Sequence, residues 1–267
     1  MANPAPLSIP QYRALAGGTA FGLTETGPFR AANEDNFLLA PQPGLLAVAD
    51  GMGGHAGGAT ASTEALALLH AFLADAGHDA DDTFAPGAHG AAPLRTLAAA
   101  IAHVNARLYQ ANMALGRPDG TGMGTTLTVL WRPDPAGPAY VGHVGDSRLY
   151  LLRAGRLLQL TRDQTLYQQA LDAGSGGPLP SRNLLLQALG PGPAVQPELL
   201  AQPVAPGDLF LLCSDGLHGD SDDAAIAAIL AGARDDDLHE RCAALVAQAL
   251  RDGSRDNVTA VLLRCAG

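Results

Sequence analysis

Residues 33–54 read Asn33-Glu34-Asp35-Asn36-Phe37-Leu38-Leu39-Ala40-Pro41-Gln42-Pro43-Gly44-Leu45-Leu46-Ala47-Val48-Ala49-Asp50-Gly51-Met52-Gly53-Gly54. Two short apolar runs, 36–40 and 44–49, are separated by a Pro/Gly turn, which predicts two strands. An acidic motif stands at the outer end of each: Asn33-Glu34-Asp35 before the first and Asp50-Gly51-Met52-Gly53-Gly54 after the second. Short strands with carboxylates at their ends are the unit from which the rest of the chain is read.

Working outward, residues 18–25 form a further strand, and the Pro- and Ala-rich residues 1–17 read as a flexible lead-in. A helix opens near Ala56 and runs over 64–74, with Leu66, Leu69 and Leu73 on one face. Residues 77–93 read as a loop, and 94–115 as a second helix with Leu97, Ile101, Val104 and Leu108 on one side. Strands follow at 125–131 and 139–144, then a hairpin of 148–152 and 157–160 that turns at Ala154-Gly155. Residues 163–192 break the pattern, with one short helical stretch and a Gly/Pro-rich run, and are taken as an excursion from the core. A strand at 208–213, helices over 222–231 and 237–250, and a closing strand at 258–263 complete the chain. Many strands, with two helix pairs far apart in sequence, predict one domain over 18–267. Its fold class is α+β, a sheet sandwich covered by helices on both outer faces.

Composition narrows the function. Of 267 residues 47% are hydrophobic and 16% charged, a composition that builds a core. A formal net charge of −10 argues against a nucleic-acid or anionic-membrane surface, which needs basic patches. Cys213, Cys242 and Cys265 form no CxxC pair and read as buried or incidental thiols of a reducing compartment. The N-terminus lacks the pattern of a signal peptide, so the expected location is the cytoplasm. His70, His103 and His143 read as structural or surface residues, and Asp235-Asp236-Asp237 as acids favouring a helix start.

The chemistry lies in five acidic motifs. Asn33-Glu34-Asp35, Asp50-Gly51, Gly145-Asp146-Ser147-Arg148 and Ser214-Asp215-Gly216 each sit at a strand end or in the adjoining turn, and Asp256-Asn257 opens the last strand. A single Asp-Gly is ordinarily a turn. Five such motifs could be brought to one rim, where their carboxylates would repel one another unless cations neutralised them. Oxygen ligands without His or Cys companions favour Mg²⁺ or Mn²⁺. Spacing alone leaves a metal site and a set of structural turns both open.

Taken in order, the motifs resemble the metal-dependent protein phosphatase family (type 2C) in its bacterial form. The resemblance is carried by residues 24–35 (TETGPFRAANED), 48–55 (VADGMGGH), 122–126 (GMGTT), 144–148 (VGDSR), 188–190 (ALG), 213–217 (CSDGL) and 254–259 (SRDNVT), and covers about residues 18–264. It implies two antiparallel sheets flanked by helix pairs, with 163–192 as the family's flap. It implies hydrolysis of phosphoserine and phosphothreonine on proteins by direct attack of a metal-bound hydroxide, opposing a bacterial Ser/Thr kinase. By the same resemblance Asp50 bridges two Mn²⁺ or Mg²⁺ ions, the Gly51 carbonyl and the carboxylates of Asp215 and Asp256 complete their protein ligands, and Glu34 and Asp35 hold metal-bound waters. Asp146 with Asp215 resembles a third-ion site, and Arg30 the residue that grips the phosphate. Departures are Glu25 where relatives carry Asp, Met52 where eukaryotic relatives carry a proton-donating His, Gln164 where His is common, and His218-Gly219-Asp220 for the usual Thr-Asp. His55 is the nearest His to Met52 in sequence, but a metal-bound water is the favoured proton donor. The expected partners are phosphoproteins, and the expected state is a monomer.

Overall fold

The computed structural model describes residues 11–15, 17–53, 57–78, 91–174 and 177–266. Twelve strands and six helices are found among them. The strands are β1 Gln11–Leu15, β2 Gly18–Glu25, β3 Asp35–Ala40, β4 Leu45–Met52, β5 Gly124–Thr125, β6 Leu127–Trp131, β7 Ala139–Val144, β8 Arg148–Arg153, β9 Arg156–Gln159, β10 Glu198–Gln202, β11 Leu209–Cys213 and β12 Val258–Cys265. The helices are α1 Gly57–His78, α2 Ala91–Ala114, α3 Leu166–Asp172, α4 Asp215–His218, α5 Asp223–Leu230 and α6 Leu238–Asp252. One sheet has the order β1-β2-β12-β11-β8-β9 and the other β10-β7-β6-β4-β3, with β5 paired to β4. Every pairing is antiparallel.

The apolar runs that marked the strands bury both faces, because each sheet has a sheet on one side and helices on the other. In β4, Leu45, Ala47 and Ala49 face α1 and α2, with Leu66, Leu69, Leu97, Ile101 and Leu108 above them. Leu46 and Val48 point the other way, into the layer between the sheets. In β11 and β12 the same alternation sends Phe210, Leu212 and Val261 inward. It sends Leu211, Ala260 and Leu262 outward to Leu238, Cys242 and Leu245 of α6. Period-two alternation with no polar face is what a strand buried on both sides requires. The α-β-β-α sandwich expected from the sequence is the fold observed.

Several elements differ from the sequence reading. Residues 11–15, assigned to the flexible lead-in, form β1 and pair with β2 from Gln11 opposite Gly22 to Leu15 opposite Gly18. An edge strand in a Pro- and Ala-rich context carries no alternation to betray it. Strand β10, which borders β7, lies among prolines that mask any strand signal in the sequence. The segment read as a loop, 77–93, is helical at both ends, and residues 79–90 lie outside the described residues. Pro93 is tolerated there because the first helical turn has no intrahelical acceptor for its missing N–H. The β8–β9 hairpin turns as predicted, with positive φ at Ala154 (50°) and Gly155 (76°), the conformation that matches strand twist.

The excursion at 163–192 is tied down at its root. Thr165 bridges Leu185, Leu189 bridges Thr125, and Thr165 caps α3 by accepting from the backbone N–H of Gln168 at 3.1 Å. Beyond the root, Leu166, Leu171, Leu179, Leu184 and Leu186 are all exposed.

Candidate active site

The sandwich brings one end of both sheets to a common rim. Asp35 opens β3 directly opposite Asp50 near the end of β4. Asp146 follows β7, Asp215 follows β11 as the first residue of α4, and Asp256 precedes β12. A cavity of about 590 Å³ opens above them, lined by Arg30, Asp146, Asp215, Asp256 and flap residues including Tyr167 and Arg182. Arg30 reaches across to an ion pair with Asp256, 226 positions away in sequence.

The carboxylates strain against one another. Burial first, then the charges of Asp35, Asp215, Asp146 and Asp256, push the Asp50 carboxyl well above its usual range. Burial first, then the charges of Asp215 and Asp163, lift Asp146 to about 8. Asp215 rises to about 6 through burial and Asp256, although contact with Asp50 and the charge of Arg30 draw it back down. Its Oδ1 is buried with no hydrogen-bond partner. An orphaned carboxylate oxygen among carboxyls of raised pKa is the signature of a missing positive charge. Among the described residues no three His, Cys, Asp or Glu side chains close around one point; the acids stand about the rim.

Beneath the acids lies a lattice of neutral polar groups. Asn33 Nδ2 donates to Thr24 Oγ1 at 2.9 Å, and Thr24 and Thr259 share a hydroxyl contact of 2.7 Å. Thr259 and Ser214 both donate to Asp35 Oδ2 at 2.6 Å. Burial still lifts Asp35 to about 7 against the pull of those two hydroxyls. Asn257 accepts from the Glu34 N–H at 2.8 Å and donates to the carbonyls of Thr26 and Ala32. The Asp50 N–H donates to Thr126 Oγ1, and its carbonyl accepts from Thr125 Oγ1 at 2.9 Å. These hydroxyls and amides fix the strand ends from which the acids project. Most of these residues belong to the sequence motifs, and period two, which puts Asn257 and Thr259 on one face of the chain, is the signal that could find them.

Two glycines are required by close approach. A Cβ on Gly51 would strike the carbonyl of Gly58, and one on Gly216 the carbonyl of Asn257. The residues after Asp50 and Asp215 must therefore lack side chains for the loops to nest. Glu34 lies close to Gly58 in the first turn of α1: a Cβ there would come within 2.6 Å of its Oε1.

Arg148 is not free to meet a ligand. It makes a two-pronged pair with Asp163 at the flap root, 2.8 and 2.7 Å, and donates to the Tyr150 hydroxyl at 2.8 Å. That pair pulls Asp163 below the usual carboxylate range. Gln164 stands beside it and brackets Gly145, its N–H reaching the Gly145 carbonyl at 2.8 Å and its Oε1 accepting from the Gly145 N–H at 3.0 Å. His218 donates Nε2–H to the Asp146 carbonyl at 3.0 Å, and burial pushes its imidazole down to about 3, so it stays neutral. The Asp146 loop is thus clamped from the flap and from α4. Arg148→Ala should lower stability by about 3–5 kcal/mol, since it strands a mostly buried Asp163; a denaturant melt measures it, and a loss below about 1 kcal/mol would show the pair to be idle.

The other histidines follow the structural reading where they are described. His143 is buried between Thr128 Oγ1 (3.0 Å) and the Arg162 carbonyl (3.1 Å), and burial holds it down at about 4. His55 lies outside the described residues. Asp237 pairs with Arg241 one turn along α6 at 3.0 Å. All three cysteines are buried.

Two antiparallel sheets between helix layers, with an aspartate-lined cleft at one end, are the architecture of the metal-dependent protein phosphatases. The chain belongs to the protein phosphatase 2C family, whose model matches residues 30–262. It is 40% identical over 245 residues to the serine/threonine protein phosphatase PstP of Mycobacterium tuberculosis (strain CDC 1551 / Oshkosh), a match covering 90% of this chain and 43% of that protein. The chain therefore spans less than half the length of that relative. The serine/threonine phosphatase stp of Listeria innocua is 33% identical over 249 residues, covering 90% of this chain and 93% of the relative. Among solved structures, the catalytic domain of PstP in complex with two manganese ions superposes with a TM-score of 0.76 at 35% identity, covering 93% of this chain and 98% of that one.

Proposed function

We propose that the chain is a serine/threonine protein phosphatase that hydrolyses phosphoserine and phosphothreonine monoesters on proteins and opposes a bacterial Ser/Thr kinase. One observation carries the reading: the partnerless Asp215 Oδ1, set among aspartates of raised pKa and beside Arg30. The donor set fits Mn²⁺ or Mg²⁺, being all oxygen, and a related catalytic domain holds two manganese ions. Asp50, the Gly51 carbonyl, Asp215 and Asp256 would hold two ions, with water filling the positions that protein leaves open. Glu34 and Asp35 would orient those waters, Asp35 being held from behind at Oδ2 by Ser214 and Thr259. Bound ions of this kind supply Lewis acidity toward phosphoryl oxygens and make water acidic enough to attack.

The chain's own residues do the rest. Arg30, half-exposed at the cleft mouth, would leave Asp256 to the cation and offer its planar fork to the phosphate, neutralising charge there as it builds. No thiol can serve as nucleophile: Cys213, the one beside the site, is buried and its pKa is pushed up to about 12. The flap would sort protein substrates at the cleft mouth. A cytoplasmic monomer belongs to the same reading, and no helix among the described residues is long and apolar enough to cross a membrane.

Phosphate release from phosphoserine and phosphothreonine peptides in Mn²⁺ or Mg²⁺ tests the function directly; no release from any peptide would refute it. Asp146, clamped but not shared between the two core ions, is the candidate for a third. Asp146→Ala should slow turnover about a hundredfold to a thousandfold, the range of a single electrostatic group, while two ions still bind by calorimetry. Loss of the ion pair itself would remove the third-ion assignment.

A further inference from the structure

Four arginines line the cleft: Arg30, Arg148, Arg182 and Arg255. The first two are committed, Arg30 to Asp256 and Arg148 to Asp163. Arg182 and Arg255 form no ion pair among the described residues. Each lies instead on an aromatic ring, Arg182 over Tyr167 and Arg255 over Phe29, with the guanidinium carbon 4.8 Å from the ring centre in both. They come from different walls: Arg182 and Tyr167 from the flap, Arg255 and Phe29 from the loops that carry Asp256 and Arg30. Stacking holds a guanidinium flat and steadies its position, while the donors along its edge stay available for an oxyanion. Arg182 spends its donors weakly, reaching the Gly219 carbonyl and the Tyr167 hydroxyl only at 3.4 Å. Asp220 lines the same cleft but is not paired with it.

We infer that the cleft recognises an oxyanion on the substrate next to the phosphorylated residue, and that Arg182 and Arg255 are the specificity-determining residues that bind it. The inference rests on the phosphatase reading and adds a substrate class: phosphopeptides with an acidic or second phosphorylated side chain beside the one being hydrolysed. Arg255 adjoins Asp256 and Phe29 adjoins Arg30 in sequence, so the Arg255 part of the subsite adjoins the phosphate grip, and Arg182 lines the same cavity from the flap. The protein's net charge of −10 disfavours such a substrate at long range. The two arginines provide local attraction where the partner docks.

The experiment uses the full chain with Mn²⁺ and four phosphothreonine peptides that differ only in the flanking residue: Gln, Glu, Lys, or a non-hydrolysable phosphonate analogue of phosphoserine. The value of kcat/KM from phosphate release is compared at low and high salt. Glu should exceed Gln by about fivefold, mostly through KM, as expected of exposed charge pairs, and Lys should fall below Gln. A phosphonate advantage larger than that of Glu assigns the subsite to a second phosphate; an equal or smaller one assigns it to carboxylates. Both preferences should shrink in high salt. Arg182→Glu with Arg255→Glu should reverse the order so that Lys exceeds Glu, an outcome that mere structural damage cannot produce. Equal hydrolysis of the Gln, Glu and Lys peptides by the unaltered protein overturns the inference and leaves the phosphatase reading intact. A Glu preference that survives in the doubly substituted protein also overturns it. Failure to release phosphate from any of the four refutes the phosphatase reading itself.

Discussion

Asp215→Asn, or Asp50→Asn, is expected to lower kcat on a phosphopeptide by at least about a thousandfold, because each removes a charge on which bound cations and the transition state both depend. Asparagine has nearly the shape of aspartate, so the neutral lattice of Thr24, Thr259, Ser214 and Asn257 should hold the loops in place. Stability should move the other way. Burial and four neighbouring carboxylates push Asp50 well above its usual range, which means the ionised cluster opposes folding when no cation is present. Neutralising one member relieves that repulsion, and the metal-free variant should melt at the same temperature as the parent or higher. Turnover, Mn²⁺ titration by calorimetry and thermal melts of the two proteins decide the matter. A variant that keeps substantial turnover would show that Asp50 and Asp215 are not the metal's principal ligands.

Removal of metal is the second large effect. Exhaustive chelation should abolish phosphate release, and Mn²⁺ or Mg²⁺ should restore it far better than Zn²⁺, which prefers nitrogen and sulfur donors to a set of carboxylates. The same treatment should make stability depend on pH with a definite sign. Asp146 at about 8, Asp35 at about 7 and Asp215 at about 6 bind protons more tightly folded than unfolded, where a carboxyl titrates near ~4. The metal-free protein should therefore lose stability as pH rises from about 4 toward 8. Cations take the protons' place, so the loaded protein should hold its stability across that window. At a hundredfold excess over Kd the ion adds about 2.7 kcal/mol, or roughly 5–10 °C in a protein of this size. Full activity in demetallated protein, or a melting temperature indifferent to Mn²⁺ at pH 8, would contradict the two-ion reading.

The candidate site was legible where local chemistry writes it. Asp50-Gly51, Ser214-Asp215-Gly216 and Asp256-Asn257 each combine a carboxylate, a tight turn and an adjoining apolar strand, and all three features sit within a few residues. What supports the site was not legible. Asp35 reads in sequence as an acid at a strand start, and the two hydroxyls that fix its carboxylate approach from strands far away in sequence. Gln164 and His218 looked like departures from a pattern; in space they close on Gly145 and Asp146 from opposite sides.

The sequence by itself determined the layers, because alternation along strands 45–49 and 209–213 and the helical spacing of Leu66, Leu69 and Leu73 are properties of neighbouring residues. It also determined which acids stand at strand ends, since the apolar runs that define a strand define its ends as well. Only the tertiary structure decided which charges meet. Arg30 pairs with Asp256 across 226 positions, and Asp215 Oδ1 is buried without a hydrogen-bond partner. It also decided that residues 11–15 pair as an edge strand, that Arg148 is held by Asp163, and that Arg182 and Arg255 stack on aromatic rings and form no ion pair among the described residues. Coulomb energy and desolvation depend on distance through space and on what covers a group, and a linear pattern carries neither.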